Sequence, residues 1–225
     1  MGLNLKVKMS NYPNTKIHNT LPKILKHRAD TIPNTVALRD KDLGIWNEIT
    51  WKQYNDNVSY LALGLAKRGF KAGDVLGLIG DNKPSWIFFE LAAQAVGGMS
   101  LGVYRDTLDE EVGYLMDAAK VSFVYAEDQE QVDKILTIKR PKNNPINIFY
   151  DDSRGLKELN DPNITDMLDL INEGKVLTSK DPEKYNKMID KVSGEQNAIL
   201  CTTSGTTSNP KLAMLPGGKF VDHVI

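Results

Sequence analysis

Between residues 75 and 150 short apolar runs alternate with longer amphipathic ones, and this alternation restricts the fold more than any other feature of the chain. The apolar runs are residues 75–79, 99–104, 121–126 and 146–150. Between the first two, Asp81-Asn82-Lys83-Pro84 turns into a helix that reaches Gly97-Gly98. Asp106-Thr107 with Glu110 predicts a cap for a second helix, with Leu108, Val112, Leu115 and Ala119 as its apolar stripe. Residues 128–138 predict a third. Strands this short and apolar, joined by helices, cannot leave either face in water. They predict an α/β fold, a parallel sheet with helices on both faces and right-handed crossovers.

The flanking segments read more simply. Residues 1–18 carry no periodicity and predict a loose arm. Asn19-Thr20-Leu21-Pro22 opens a helix that ends before Pro33, with Thr20 or Leu21 near the cap. Residues 35–39 and 45–49 flank Asp42-Leu43-Gly44 and predict a hairpin. Thr50-Trp51-Lys52-Gln53 is a capping box, and behind it Tyr54, Val58, Leu61, Ala62 and Leu65 form a helical stripe that reads as core; Gly69 stops that helix. Residues 151–193 are polar and lysine-rich, with weak helices after Asn163 and after Asp181-Pro182, and read as an insertion or a helical cover.

The chemistry is concentrated in residues 200–211, Leu-Cys-Thr-Thr-Ser-Gly-Thr-Thr-Ser-Asn-Pro-Lys. Apolar runs lead into this block and out of it, but the block itself holds hydroxyls, one glycine and one lysine. Backbone N–H groups turned inward at Gly205, hydroxyl donors and the Lys211 ammonium suit an oxyanion, above all a polyphosphate. The phosphate-loop pattern G-x-x-x-x-G-K-[ST] does not fit, because Pro210 stands at the fifth position after Gly205 and Leu212 follows the lysine. Residues 212–215 then read as a strand. The block would sit where a strand ends its run through the sheet, which is where open α/β sheets hold ligands.

This block resembles the AMP-binding signature of the adenylate-forming superfamily, which includes acyl-CoA synthetases, peptide-synthetase adenylation domains and luciferases. Residues 200–211 satisfy each constrained position of the signature. Three neighbours depart from the family habit: Ser208 and Leu212 replace glycines, and Gly217 stands where a histidine often follows. Glu48-Ile49-Thr50-Trp51, Gly73-Asp74-Val75, Asn82-Lys83-Pro84-Ser85-Trp86, Gly97-Gly98-Met99 and Tyr125-Ala126-Glu127-Asp128-Gln129 also look like the N-terminal part of that superfamily. The last, with Val132-Asp133-Lys134-Ile135, is closest to its long-chain fatty-acid–CoA ligase branch.

The resemblance implies a carboxylate attacking ATP to give acyl-AMP, then transfer of the acyl group to coenzyme A, with Mg2+ as companion ion. It implies Thr203, Ser204, Gly205, Thr206, Thr207, Ser208 and Lys211 as the ATP phosphate contacts, Thr206 and Thr207 foremost. No catalytic residue and no metal ligand of the family can be matched. Family members run far longer, so residues 19–225 are expected to be part of an N-terminal AMP-binding domain, without its C-terminal portion or the small C-terminal domain, and inactive alone. The alternative is a truncated relative acting as a non-catalytic binding or scaffold module.

Composition bounds the remainder. A net charge of −1 supplies no basic field for nucleic acid. One cysteine, Cys201, excludes an internal disulfide and reads as a small buried strand residue rather than a nucleophile. His18, His27 and His223 lack metal-ligand spacing. No apolar run reaches membrane-spanning length and no apolar region follows Lys6 and Lys8, so a cytoplasmic protein is expected, with room for peripheral membrane association.

Overall fold

A computed structural model describes residues 13–141, 145–203 and 210–224. Of the expected arm, residues 13–18 form a turn in which the Ile17 N–H donates to the Asn14 carbonyl. Helix α1 (Leu21–Thr31) starts after Thr20 with Pro22 in its first turn. Strands β1 (Val36–Asp42) and β2 (Ile45–Thr50) form an antiparallel hairpin. Leu43 and Gly44 both take positive φ at its tip, as a two-residue turn matched to strand twist requires. Helix α2 (Trp51–Lys67) begins with both halves of the predicted capping box: the Gln53 N–H donates to Thr50 Oγ1, and the Thr50 N–H donates to Gln53 Oε1.

The strand–helix grammar then runs as expected. Strand β3 (Val75–Gly80) leads to α3 (Pro84–Val96), which Gly97 ends in a left-handed conformation. Strand β4 (Met99–Tyr104), helix α4 (Asp109–Ala118), strand β5 (Phe123–Ala126), helix α5 (Gln129–Leu136) and strand β6 (Asn147–Tyr150) follow. The cap of α4 differs from expectation. The Thr107 N–H closes a turn onto the Tyr104 carbonyl, so Thr107 is used in that turn and Leu108 becomes the capping residue, 75% exposed rather than part of the stripe. Three acidic residues in the first turn meet the helix dipole instead of a side-chain cap.

Residues 151–193 form the helical cover, one of the two readings of this segment. They supply strand β7 (Ile164–Asp166), which the sequence reading lacked, then α6 (Met167–Lys180) and α7 (Lys184–Asp190). Helix α6 crosses α2 at backbone distance: a Cβ on Gly174 would stand 2.0 Å from the Tyr60 carbonyl oxygen. Leu170 and Ile171 are buried there, so this segment is core. Strand β8 (Asn197–Thr203), strand β9 (Lys211–Pro216) and helix α8 (Gly217–Val224) complete the described chain.

The main sheet has the order β7-β6-β5-β3-β4-β8-β9 and is parallel except for β9. One half of the core lies under α1, α2, α3, α6 and α7, around Val58, Leu61, Phe88 and Leu170. In it Phe89 stacks on Tyr125 at 4.8 Å and on Phe149 at 5.8 Å. The other half lies under α4 and α5, around Val112, Leu115, Met116, Val132 and Ile135. Helices therefore cover both faces of the sheet, and each fully buried large side chain contributes about 1.5–3 kcal/mol.

Candidate phosphate-binding site

Strand β8 enters the sheet parallel to β4, with Leu101 opposite Leu200. It leaves as one arm of a hairpin with β9, where Thr203 pairs with Lys211. The predicted phosphate-binding block is thus the connection between two paired strands. Its base is closed by a hydrogen bond from Thr203 Oγ1 to the Lys211 carbonyl at 3.4 Å. The pairing puts Thr203 and Lys211 on one face of the ladder and Thr202 and Leu212 on the other. Thr203 and Lys211 are exposed, and no carboxylate of the described residues pairs with the Lys211 ammonium. Leu212 packs against the core half under α4. Ser204, Gly205, Thr206, Thr207 and Ser208 lie outside the described residues.

Beside this hairpin a crevice of about 360 Å³ opens between α3 and β8. The Trp86 indole lies against the β4 backbone at Gly102, where a Cβ would come within 3.1 Å of the ring. Below it Glu90 accepts a hydrogen bond from Ser100 Oγ at 3.2 Å. Burial pushes the Glu90 carboxyl above its usual range, and the Ser100 hydrogen bond offsets part of that shift. Cys201 lines the same crevice and is exposed, against the expectation of a buried strand residue. The reason is its position: β8 and β9 form the end of the sheet, and α3 does not reach over the Cys201 face.

A second place on the carboxyl edge lies between β3 and β5, where the chain leaves β3 toward β4 on one side and later returns to β5 on the other. Such switch points open a ligand crevice in many α/β sheets. Here the protein fills it with its own groups. Lys83 Nζ reaches Glu127 Oε1 at 2.6 Å, and the Asp81 N–H donates to Glu127 Oε2 at 2.5 Å. Arg105 pairs with Asp81 at 2.6 Å and approaches Asp128 at 3.5 Å. Gly80 is required at this point, since its φ is +152° and a Cβ would meet the Glu127 Cβ at 2.6 Å. Ser85 and Tyr125 share a hydrogen bond of 2.7 Å close by. Burial pushes the neighbouring Asp151 carboxyl up, while Ser85, Lys83 and Tyr125 hold it back. Among the described residues no group of three or more His, Cys, Asp or Glu could hold a metal ion.

One contact was not foreseeable from sequence. Tyr114 on α4 donates its hydroxyl to the Pro210 carbonyl at 3.2 Å, across 96 positions of chain. Its only local signal is a place beside the α4 stripe.

A family model described as AMP-binding enzyme matches residues 25–224. The chain belongs to the AMP-binding enzyme family. Among curated relatives, the long-chain-fatty-acid–CoA ligase ACSBG2 of Rattus norvegicus is 27% identical over 196 residues, covering 87% of this chain and 29% of the relative. ACSBG1 of the same species is 27% identical over 203 residues, covering 89% and 27%. The chain therefore spans about three-tenths of the length of these relatives. Among solved structures, a luciferase-like enzyme from the mealworm Zophobas morio superposes with TM-score 0.73 at 15% identity, over 93% of this chain and 45% of that one. The anthranilate CoA ligase AuaEII, in complex with anthranoyl-AMP, gives TM-score 0.72 at 18% identity, over 94% and 36%. At these identities the structures establish the AMP-binding enzyme fold alone.

Proposed function

We propose that the protein carrying this chain activates a fatty-acid carboxylate with ATP and passes the acyl group to coenzyme A. The observation that carries this reading is the connection between β8 and β9, rich in hydroxyls, one glycine and one lysine, at the carboxyl end of a sheet strand. Thr203, Ser204, Gly205, Thr206, Thr207, Ser208 and Lys211 would hold the β- and γ-phosphates of ATP and then the departing pyrophosphate. In the first step a carboxylate oxygen bonds to the α-phosphorus and the bond to the bridging oxygen of pyrophosphate breaks. In the second the thiol sulfur bonds to the acyl carbon, AMP leaves, and the thiol proton passes to solvent. Positioning and charge stabilisation dominate such chemistry, so donors of the connection matter more than any single acid or base.

The fatty-acid assignment is supported by the names of the curated relatives, and ATP use by the family. Among the described residues no group of three or more His, Cys, Asp or Glu could hold a metal ion, and no step above is routed through magnesium. In this reading residues 19–225 contribute the opening part of the large AMP-binding domain, after an arm of residues 1–18. No helix among the described residues is long and apolar enough to cross a membrane.

The test is ATP–pyrophosphate exchange by the complete protein, with fatty acids spanning short to very long chains. Exchange that depends on a fatty acid is the expected result. Its absence at every chain length would sink the assignment.

A further inference from the structure

We propose that Tyr114 is a positioning residue for Lys211, fixing the backbone from which that side chain projects. The inference rests on the phosphate-binding role proposed above for the connection between β8 and β9. Three successive residues at its exit are tied down, each by a different group. The Pro210 carbonyl accepts from the Tyr114 hydroxyl at 3.2 Å, the Lys211 carbonyl accepts from Thr203 Oγ1 at 3.4 Å, and the Leu212 side chain packs into the core half that Tyr114 also borders.

The Pro210 carbonyl and the Lys211 N–H belong to one planar trans peptide, so they point in opposite directions. A hydroxyl that holds the carbonyl toward α4 therefore aims the Lys211 N–H away from α4. The strand pairing sets the Lys211 side chain, with Thr203, on the face opposite Leu212. Tyr114 thus acts on the connection from behind, through backbone alone.

Tyrosine suits the task because its ring packs in the half-buried margin of α4 while its hydroxyl reaches a polar group. The support behind it is firm. Val112, Leu115 and Met116 on the same helix are buried, and the loop entering α4 is held by Arg105, whose side chain pairs with Asp81 and whose carbonyl accepts from Lys134 Nζ. A ligand meeting a Lys211 whose backbone is already held loses less ordering entropy on binding.

The experiment compares the complete protein with its Tyr114→Phe and Lys211→Ala variants in fatty-acid-dependent ATP–pyrophosphate exchange, alongside melting temperature. Tyr114→Phe is expected to raise the KM for ATP about two- to tenfold, the worth of one neutral hydrogen bond. The KM for the fatty acid should stay unchanged, and amide hydrogen exchange over residues 211–213 should quicken. An unchanged KM for ATP overturns the inference, as does a variant that loses melting temperature with its ATP kinetics intact. Lys211→Ala separates the two layers. If it impairs ATP use and Tyr114→Phe does not, only the positioning role fails. If neither variant affects ATP use, the phosphate-binding role of the connection fails and the positioning role with it.

Discussion

The centre of the sheet and its β8–β9 end are made of similar apolar strands, yet they finish in opposite ways. At the centre, five of the six β3 residues are buried, β4 and β5 flank the strand, and helices cover both faces. Its carboxyl end is sealed by Glu127, Lys83, Asp81 and Arg105, each satisfied by another protein group. At the other end, the last three residues of β8 are exposed and its outer neighbour is an edge strand. Hydroxyls and an ammonium stand there without carboxylate partners among the described residues. The contrast teaches where a ligand is needed. The charged groups at the centre meet one another, whereas the Lys211 ammonium has no carboxylate partner among the described residues.

The largest expected effect that can break this comparison is on stability. Phe89→Ala removes the ring stacked between Tyr125 and Phe149 and should cost roughly 3–5 kcal/mol in urea denaturation. Cys201→Ser at the exposed end should stay within about 0.5 kcal/mol. Equal losses would mean that the two regions are packed alike. Leu212→Gly comes next. Its contact with the core half under α4 predicts a loss of about 1–3 kcal/mol. A raised KM at unchanged melting temperature would instead place Leu212 among the groups that set the freedom of the connection.

The smallest effect sharpens the picture of the sealed centre. The Asp151 carboxyl is held above its usual range mainly by burial, so the folded chain binds more protons than the unfolded one between the two pKa values. Stability from this group therefore falls as pH rises through that window and remains reduced at neutral pH. Asp151→Asn should raise the melting temperature slightly at pH 7, and the gain should vanish on acidification below the unfolded carboxylate range. A gain that grows on acidification would reverse the sign assigned to this group.

The sheet was legible in the sequence because a buried parallel strand is short and apolar and its helices carry their own stops, as at Gly69 and Gly97. The hairpin and the capping box at Thr50 were legible because both are settled within a few residues. Strand β7 was not, since three residues, Ile-Thr-Asp, are too few to carry a period. The close approach of α6 to α2 was hidden for a related reason: Gly64 and Gly174 matter only when two distant helices meet. Cys201 misled because a small apolar residue in a strand says nothing about which face lacks a helix. For the candidate site, composition and spacing marked the block, and the pairing of Thr203 with Lys211 adds how its base is held. Tyr114 was invisible, because its partner is a backbone carbonyl and any residue offers one.

The strand order also bears on how the chain is made. Leu101 on β4 pairs on one side with β3, its predecessor, but on the other with Leu200, which leaves the ribosome roughly 100 residues later. Growth proceeds meanwhile toward the opposite side of the sheet, through β5, β6 and β7. At synthesis rates of roughly 5–20 residues per second, the β4 edge therefore waits on the order of 5–20 s without its partner strand. An apolar edge left open that long is a template for wrong pairing. Strand β8 thus carries a double duty: it presents the phosphate-binding connection, and it covers an apolar border that the nascent chain leaves open.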